Sequence, residues 1–284
     1  MEMPLIGREA LDSGLLTRHE LRSRFTAVYP GVYVEADTRI TALQRAQAAW
    51  LWSRRQGVLA GRSAAALHRA KWLDDQAPAE MLYDNRHRPK GIRTWADVIA
   101  DDEIETIAGI RVTTPVRTAL DLARRNPLDP AVALIDALLN ATRTKVADVE
   151  SLAERYKGHK RIRRALVALD LVDAGSESPR ETWLRLLIIR AGFPRPETQI
   201  PVFDEFGQVV ARVDIGWADL KIDVEYDGEH HWTDRRHMTR DIRRTELLHE
   251  LKWIVIRVTA EDTPETIRRR IAAAFAERGI TTFR

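Results

Sequence analysis

The sequence predicts a multi-domain α/β protein, with an N-terminal half of short helices and strands and a C-terminal domain in which helices flank a mixed sheet. Three observations predict it. The 284 residues suit about two domains at roughly 150 residues each. Residues 173–179, Asp-Ala-Gly-Ser-Glu-Ser-Pro, have the composition of a linker. Beyond them the hydrophobic pattern reads α-β-β-β-α-β-α, the order of a sheet flanked by helices.

In chain order, Leu5, Ile6, Ala10 and Leu11 form one apolar helix face that Gly14 closes. Thr17 with Glu20 has capping-box spacing ahead of a second short helix. Phe25–Val34, two β-rich runs around Pro30-Gly31, reads as a hairpin, so residues 1–38 have the layout of a winged helix-turn-helix. A small α+β region is expected over 39–141. It comprises a helix at 39–55, a helix Ala64–Arg69 capped by Ser63, strands at Glu80–Tyr83, Ile92–Trp95 and Ile107–Val112, and helices from Pro115 and over 131–139. Residues 142–172 form a basic segment read as one helix from Val146 to Leu169, with Ile162, Leu166 and Leu169 as its core stripe. The C-terminal domain, 176–284, reads as a helix Pro179–Arg190, strands Thr198–Val202, Val209–Ile215 and Leu220–Tyr226, a helix 234–250, a strand Trp253–Val258 and a helix 264–278.

Composition narrows the chemistry. Hydrophobic residues make up 44% and charged residues 31%, ordinary for a globular chain. Cysteine is absent, which excludes disulfides, thiolate-bound zinc, iron–sulfur clusters and thiol nucleophiles. No apolar run resembles a signal peptide or reaches the ~18 residues of a spanning helix, so a cytoplasmic protein without a membrane partner is expected. Net charge is only +3, but residues 142–169 carry eight basic and three acidic groups. Lys157, Lys160, Arg161, Arg163 and Arg164 there could contact a phosphate backbone or simply face solvent.

Residues 214–229 hold six carboxylates, Asp214, Asp219, Asp223, Glu225, Asp227 and Glu229, with Lys221 among them. Period-two alternation puts Lys221, Asp223, Glu225 and Asp227 on one strand face, opposite Leu220, Ile222, Val224 and Tyr226. Like charges spaced about 7 Å apart are costly unless something positive neutralises them. Asp214 plus Glu225 supply hard oxygen ligands suited to Mg²⁺ or Mn²⁺, able to polarise a phosphodiester. His231 (or His230) after Gly228 is a candidate general base or water-orienting group. His237, Asp241 and Arg244 share a helix face above a stripe of Met238, Ile242, Leu248 and Leu251. Asp241 and Arg244 form a structural pair or, alternatively, Asp241 orients Arg244 toward the scissile phosphate. Glu181 reads equally as an outer metal ligand or a first-turn charge.

The stretches SPRETWLRLLIIRAGFPRPETQ (178–199), ARVDIGWADLKIDVEYDGEHHW (211–232) and RRHMTRDIRRTELLHELKWIVIRVT (235–259) resemble the domain of unknown function 559 family. That family is related to the very-short-patch-repair branch of the PD-(D/E)XK nucleases. The resemblance implies a restriction-endonuclease-like fold, with Asp214 and Glu225 as metal ligands, Glu181 as an auxiliary acid and a His231–Asp241–Arg244 cluster. Asp227 stands where the general nuclease pattern has lysine, which leaves Lys221 and Arg244 as candidates for that role. Separately, GLLTRHELRSRF (14–25), YPGVYV (29–34), GVLAGRSAAALH (57–68) and GIRVTTPVRTALDLAR (109–124) resemble the winged-helix region of AbiEi-type type IV antitoxins. This implies a DNA-targeting module, with Arg18, Arg22 and Arg24 near the recognition helix. Two functions are therefore expected. One is a divalent-metal-dependent DNA endonuclease delivered by its N-terminal module. The alternative is a non-catalytic, antitoxin-like repressor with a degenerate nuclease domain and a cognate toxin or repair protein as partner.

Overall fold

A computed structural model describes residues 3–228 and 235–281, with the backbone alone for 235–241. The described residues form a mixed α/β structure of three sheets and eleven α-helices, divided into units at 1–172 and 173–284. None of these helices is long and apolar enough to cross a membrane.

The first unit opens on a small antiparallel sheet of order β1-β3-β2, with β1 at Leu5–Ile6, β2 at Phe25–Tyr29 and β3 at Val32–Glu35. Leu5 and Ile6 are strand, not the helix expected, because they pair with the open edge of β3 at Tyr33 and Val32. Helix α1 therefore starts at Gly7, where a Cβ would come within 2.6 Å of the Tyr33 ring. Helix α2 (Arg18–Arg24) has the Thr17–Glu20 capping box and buries Leu21.

Helix α3 (Ala42–Trp52) leads into a five-stranded mixed sheet of order β6-β5-β4-β8-β7. Its strands are β4 (Val58–Leu59), β5 (Ala79–Leu82), β6 (Ile92–Trp95), β7 (Ile104–Ile107) and β8 (Ile110–Thr113). Ala46, Ala49, Leu59, Met81 and Val112 form the core beneath α3. Helix α4 (Gly61–Leu67) starts before Ser63, so Ser63 does not cap it. The Ser63 hydroxyl instead accepts the Glu80 N–H at 2.8 Å, while the Glu80 carboxylate accepts the Arg62 N–H at 2.7 Å.

Four helices complete the unit: α5 (Pro115–Arg125), α6 (Leu128–Thr142), α7 (Val146–Arg155) and α8 (Ile162–Asp170). The segment expected to be one helix is broken between α7 and α8, where Gly158 and Arg161 adopt left-handed φ angles of 85° and 66°. Ala165 and Ala168 join Ile162 and Leu169 in the core, and Leu166 is exposed. Within α8 the buried face runs through 162, 165, 168 and 169, one residue round from Leu166. Arg117 of α5 is fully buried and binds Asp121 (2.9 Å), Glu103 (2.7 Å) and the Tyr156 hydroxyl (2.6 Å). Burial opposes its charge, yet Asp121 and Glu103 hold its pKa above the ordinary value.

The second unit contains α9 (Pro179–Arg190), β9 (Glu197–Phe203), β10 (Val209–Trp217), β11 (Ile222–Tyr226), α10 (Arg235–Glu250), β12 (Ile254–Val258) and α11 (Pro264–Glu277). The sheet order is β12-β11-β10-β9, with β11 parallel to β12 and the other neighbours antiparallel. The crossover from β11 to the parallel β12 runs through α10, as a parallel pair requires. Leu184 and Ile188 of α9 and Ile271 and Phe275 of α11 pack with Ile222 and Val224 on one face. Leu248 of α10 packs with Ile200, Val202, Val213 and Trp253 on the other. Ile242, expected in the buried stripe of α10, is 48% exposed.

Candidate functional site

Strand β11 decides where charge collects. Ile222 and Val224 face the α9–α11 core, so alternation turns Asp223 and Glu225 toward α10. Asp223 is fully buried and Glu225 nearly so. Two acids buried on one strand need cations close by, and two arginines supply them. Arg244 of α10 donates from Nη1 to Glu225 Oε2 at 2.6 Å. Arg257 lies beside Glu225 in the parallel register of β12 and donates from Nε to Oε1 at 3.1 Å.

Each guanidinium also has an anchor of its own. Arg244 donates to the Arg212 carbonyl from Nη2 (2.9 Å) and Nε (3.3 Å), and Arg257 Nη2 donates to Thr245 Oγ1 at 2.6 Å. Asp223 fares differently. Its Oδ2 lies 3.7 Å from Arg244 Nη2, and neither carboxylate oxygen has a hydrogen-bond partner among the described residues. Burial, then repulsion from Glu225, pushes its pKa up to about 8, against the pull of Arg244.

Asp214 sits where the β9–β10 pair changes faces. Val213 packs on the α10 side whereas Ile215 and Trp217 pack on the α9–α11 side. The interruption lies between the pairs Val213↔Ile200 and Ile215↔Thr198, where Gln199 takes a left-handed φ of 52° inside a strand. The Gln199 side chain hydrogen-bonds Asp214. Burial raises the pKa of Asp214, Arg244 lowers it, and Glu225 raises it again, so these charges share one neighbourhood.

Glu181 also feels Asp214, after a larger upward effect of its own burial. Both its oxygens are occupied at the start of α9, Oε1 by the Ser178 hydroxyl (2.8 Å) and Oε2 by the Glu177 N–H (2.7 Å). Glu181 thus lies in the first turn of α9, beside the Ser178 N-cap.

Asp214, Asp223 and Glu225 have the oxygen chemistry of a Mg²⁺ or Mn²⁺ site, but their arrangement does not fit one. Each oxygen of Glu225 is taken by a guanidinium. Among the described residues, no three Asp, Glu or His side chains are placed to hold an ion together.

Other expected site residues lie elsewhere or outside the described part. Lys221 was expected on the acidic strand face. It lies in the turn before β11 with a left-handed φ of 51°, and its Nζ donates to the Leu251 carbonyl at 3.1 Å. Asp227 follows β11, and its N–H donates to the Val258 carbonyl. His231 and its neighbour His230 lie outside the described residues, as does the Asp241 side chain. Among the described residues, Arg244 is oriented by Glu225 and the Arg212 carbonyl. Sequence reasoning passed over Arg257 and Gln199. A lone arginine within the apolar run Ile254–Val258 was the available signal for Arg257; Gln199 offered none.

In the first unit, Arg18 and Arg22 are exposed on α2 and form no ion pair among the described residues, whereas Arg24 lies 3.5 Å from Glu35. Lys157, Lys160, Arg161, Arg163 and Arg164 are all exposed on the α7–α8 turn and the start of α8. The Lys160 carbonyl accepts Arg124 Nε, and Arg164 donates to the Asn126 carbonyl, so this basic surface rests on the end of α5.

Residues 55–171 match the AbiEi antitoxin C-terminal domain. That stretch, from before β4 to the end of α8, is antitoxin-like. Two relatives from Mycobacterium tuberculosis, the uncharacterized proteins Rv2248 (strain H37Rv) and MT2308 (strain CDC 1551), are each 30% identical over 172 residues. The alignment covers 60% of this chain, and the chain spans 63% of the length of these curated relatives. No solved structure matches the chain.

Proposed function

We propose that the protein is an antitoxin-like, DNA-binding regulator of the bacterial cytoplasm, with a toxin as a further partner. The observation that carries this reading is the antitoxin match at 55–171, preceded by two short helices and a hairpin whose second helix exposes Arg18 and Arg22. In a winged-helix arrangement, that second helix enters the major groove. The exposed Lys157–Arg164 turn adds a second cationic surface for phosphates.

Duplex binding measured by fluorescence anisotropy tests it. Arg18→Ala and Arg22→Ala are each expected to weaken binding about tenfold, the scale of one charge-assisted hydrogen bond. Each should also lower the slope of log affinity against log salt by about 1. Unchanged affinity and slope in both variants would remove α2 from the DNA interface.

A second reading has one specific observation in its favour: Asp214, Asp223 and Glu225 are close enough to shift one another's pKa in a domain ordered α-β-β-β-α-β-α. That is the order expected of a PD-(D/E)XK-like endonuclease. Incubation of supercoiled, nicked, mismatched and single-stranded DNA with Mg²⁺ or Mn²⁺ separates the readings. An endonuclease loses roughly a hundredfold or more of its rate in Asp214→Asn and in Glu225→Gln. A regulator without catalysis leaves every substrate intact in the wild type. Cleavage that persists unchanged in both variants would place the activity elsewhere.

A further inference from the structure

We propose that the outward face of the β9–β10 hairpin is a self-association surface, on which a second copy of this chain docks across a two-fold axis. The inference goes beyond both functional readings and concerns the second unit alone.

Among the described residues, four of the eleven exposed large apolar side chains fall within 203–210: Phe203 (52% exposed), Phe206 (77%), Val209 (58%) and Val210 (37%). Scattered apolar side chains need no explanation, whereas a contiguous cluster marks a binding surface. Alternation along the hairpin fixes where the cluster lies. Ile200 and Val202 pack toward α10, so Pro201 and Phe203 face the other way, and both are exposed. Val209 pairs directly with Phe203, and Arg212 with Pro201, which puts these side chains on the same outward face. Val210 is the extra residue where the register shifts between Val209 and Ala211. On that side of the sheet the α9–α11 core takes in β10 only from Ile215 onward. The distal end of the hairpin is therefore left uncovered among the described residues.

The turn presets the backbone that carries the cluster. Asp204 Oδ1 accepts the Phe206 and Gln208 N–H groups at 2.9 and 2.8 Å, and Gly207 takes a left-handed φ of 76°. An ordered turn lowers the entropy lost on docking.

Charge selects the occupant. The apolar centre lies between Arg212 at one end and Glu205 in the turn at the other, both exposed and without an ion pair among the described residues. A surface positive at one end and negative at the other complements itself when rotated by half a turn. Glu205 of each copy then meets Arg212 of the other, as a two-fold interface requires. Nucleic acid matches poorly, because Asp204 and Glu205 precede Phe206 and repel phosphate. Strand addition at the open edge of β9 also matches poorly, since Pro201 has no N–H to offer there. Each copy contributes only a few apolar side chains, the low end of interface sizes, so the dimer is weak and reversible.

Sedimentation equilibrium of the full chain over a micromolar concentration series tests this. The wild type is expected to show a reversible monomer–dimer equilibrium. Phe203→Ser should abolish the dimer. Glu205→Arg and Arg212→Glu each place like charges opposite one another twice in a two-fold dimer, so each alone should weaken association about tenfold or more. Mixing these two variants in equal amounts should restore dimers near the wild-type affinity, because every facing pair is again of opposite sign. All three positions are exposed, and an unchanged circular dichroism spectrum checks that each variant folds. A wild type that stays monomeric throughout the series overturns the proposal. So does a dimer that survives unchanged in all three variants, or a mixture of the two charge variants that stays as weak as either alone.

Discussion

Arg117→Met is expected to destabilise the first unit by about 3–5 kcal/mol, the usual consequence of removing one partner from a buried ion pair. The substitution leaves Asp121 and Glu103 buried without their main counter-charge. Arg124 and Arg125 approach Asp121 only to 3.9 and 3.6 Å, too far to replace it. Tyr156 is tied to the same group, its pKa pushed up to about 12 by burial and by its bond to Glu103. Urea unfolding followed by circular dichroism measures the loss. Adding Glu103→Gln and Asp121→Asn to Arg117→Met should recover most of it, because no buried charge then stands alone. A loss below about 1 kcal/mol for the single variant would show that the network contributes little.

Asp223→Asn is expected to act in the opposite direction, by an amount that grows as pH rises from about 4 to about 8. Unfolded aspartate titrates near 3.9, whereas Asp223 in the folded protein is raised to about 8. The folded state therefore holds this proton more tightly. The associated stability is present in full below about pH 4 and disappears as pH rises through about 8. Above that point ionisation costs on the order of 5 kcal/mol, which asparagine avoids. Thermal melts of the second unit from pH 4 to pH 9 should show a flatter pH dependence for Asp223→Asn. The variant should be near wild type at pH 4 and more stable at pH 9. Parallel curves for the two proteins would refute the assignment.

Signals confined to a few neighbouring residues were readable from the chain. The Thr17–Glu20 box, the Pro30-Gly31 hairpin, Pro115 at the start of α5 and Pro179 at the start of α9 each act within one turn of backbone. The alternation along β11 was equally readable because a two-residue period needs no tertiary information. Features that depend on a distant partner were not. Leu5 and Ile6 have an apolar helical spacing, but the open edge of β3 claims them. Ser63 has the chemistry of a helix cap, and the Glu80 backbone uses it instead. Lys221 would share the acidic face only if β11 began one residue earlier; the turn takes that residue. Spacing alone pointed to Glu225 as open for a cation, because Arg257 comes from another strand and Arg244 from a helix.

The succession of charges along the chain has a consequence for biosynthesis. Strand β11, with its two inward-facing acids, leaves the ribosome before Arg244, Arg257 and its parallel neighbour β12 have been made. The acidic strand must therefore wait, solvated, until those later segments emerge, because a non-local strand pair cannot form ahead of its second member. The first unit closes within its own 172 residues and is free to fold while translation continues. A ribosome stalled just after β11 would display a finished N-terminal body trailing a hydrated, negatively charged strand.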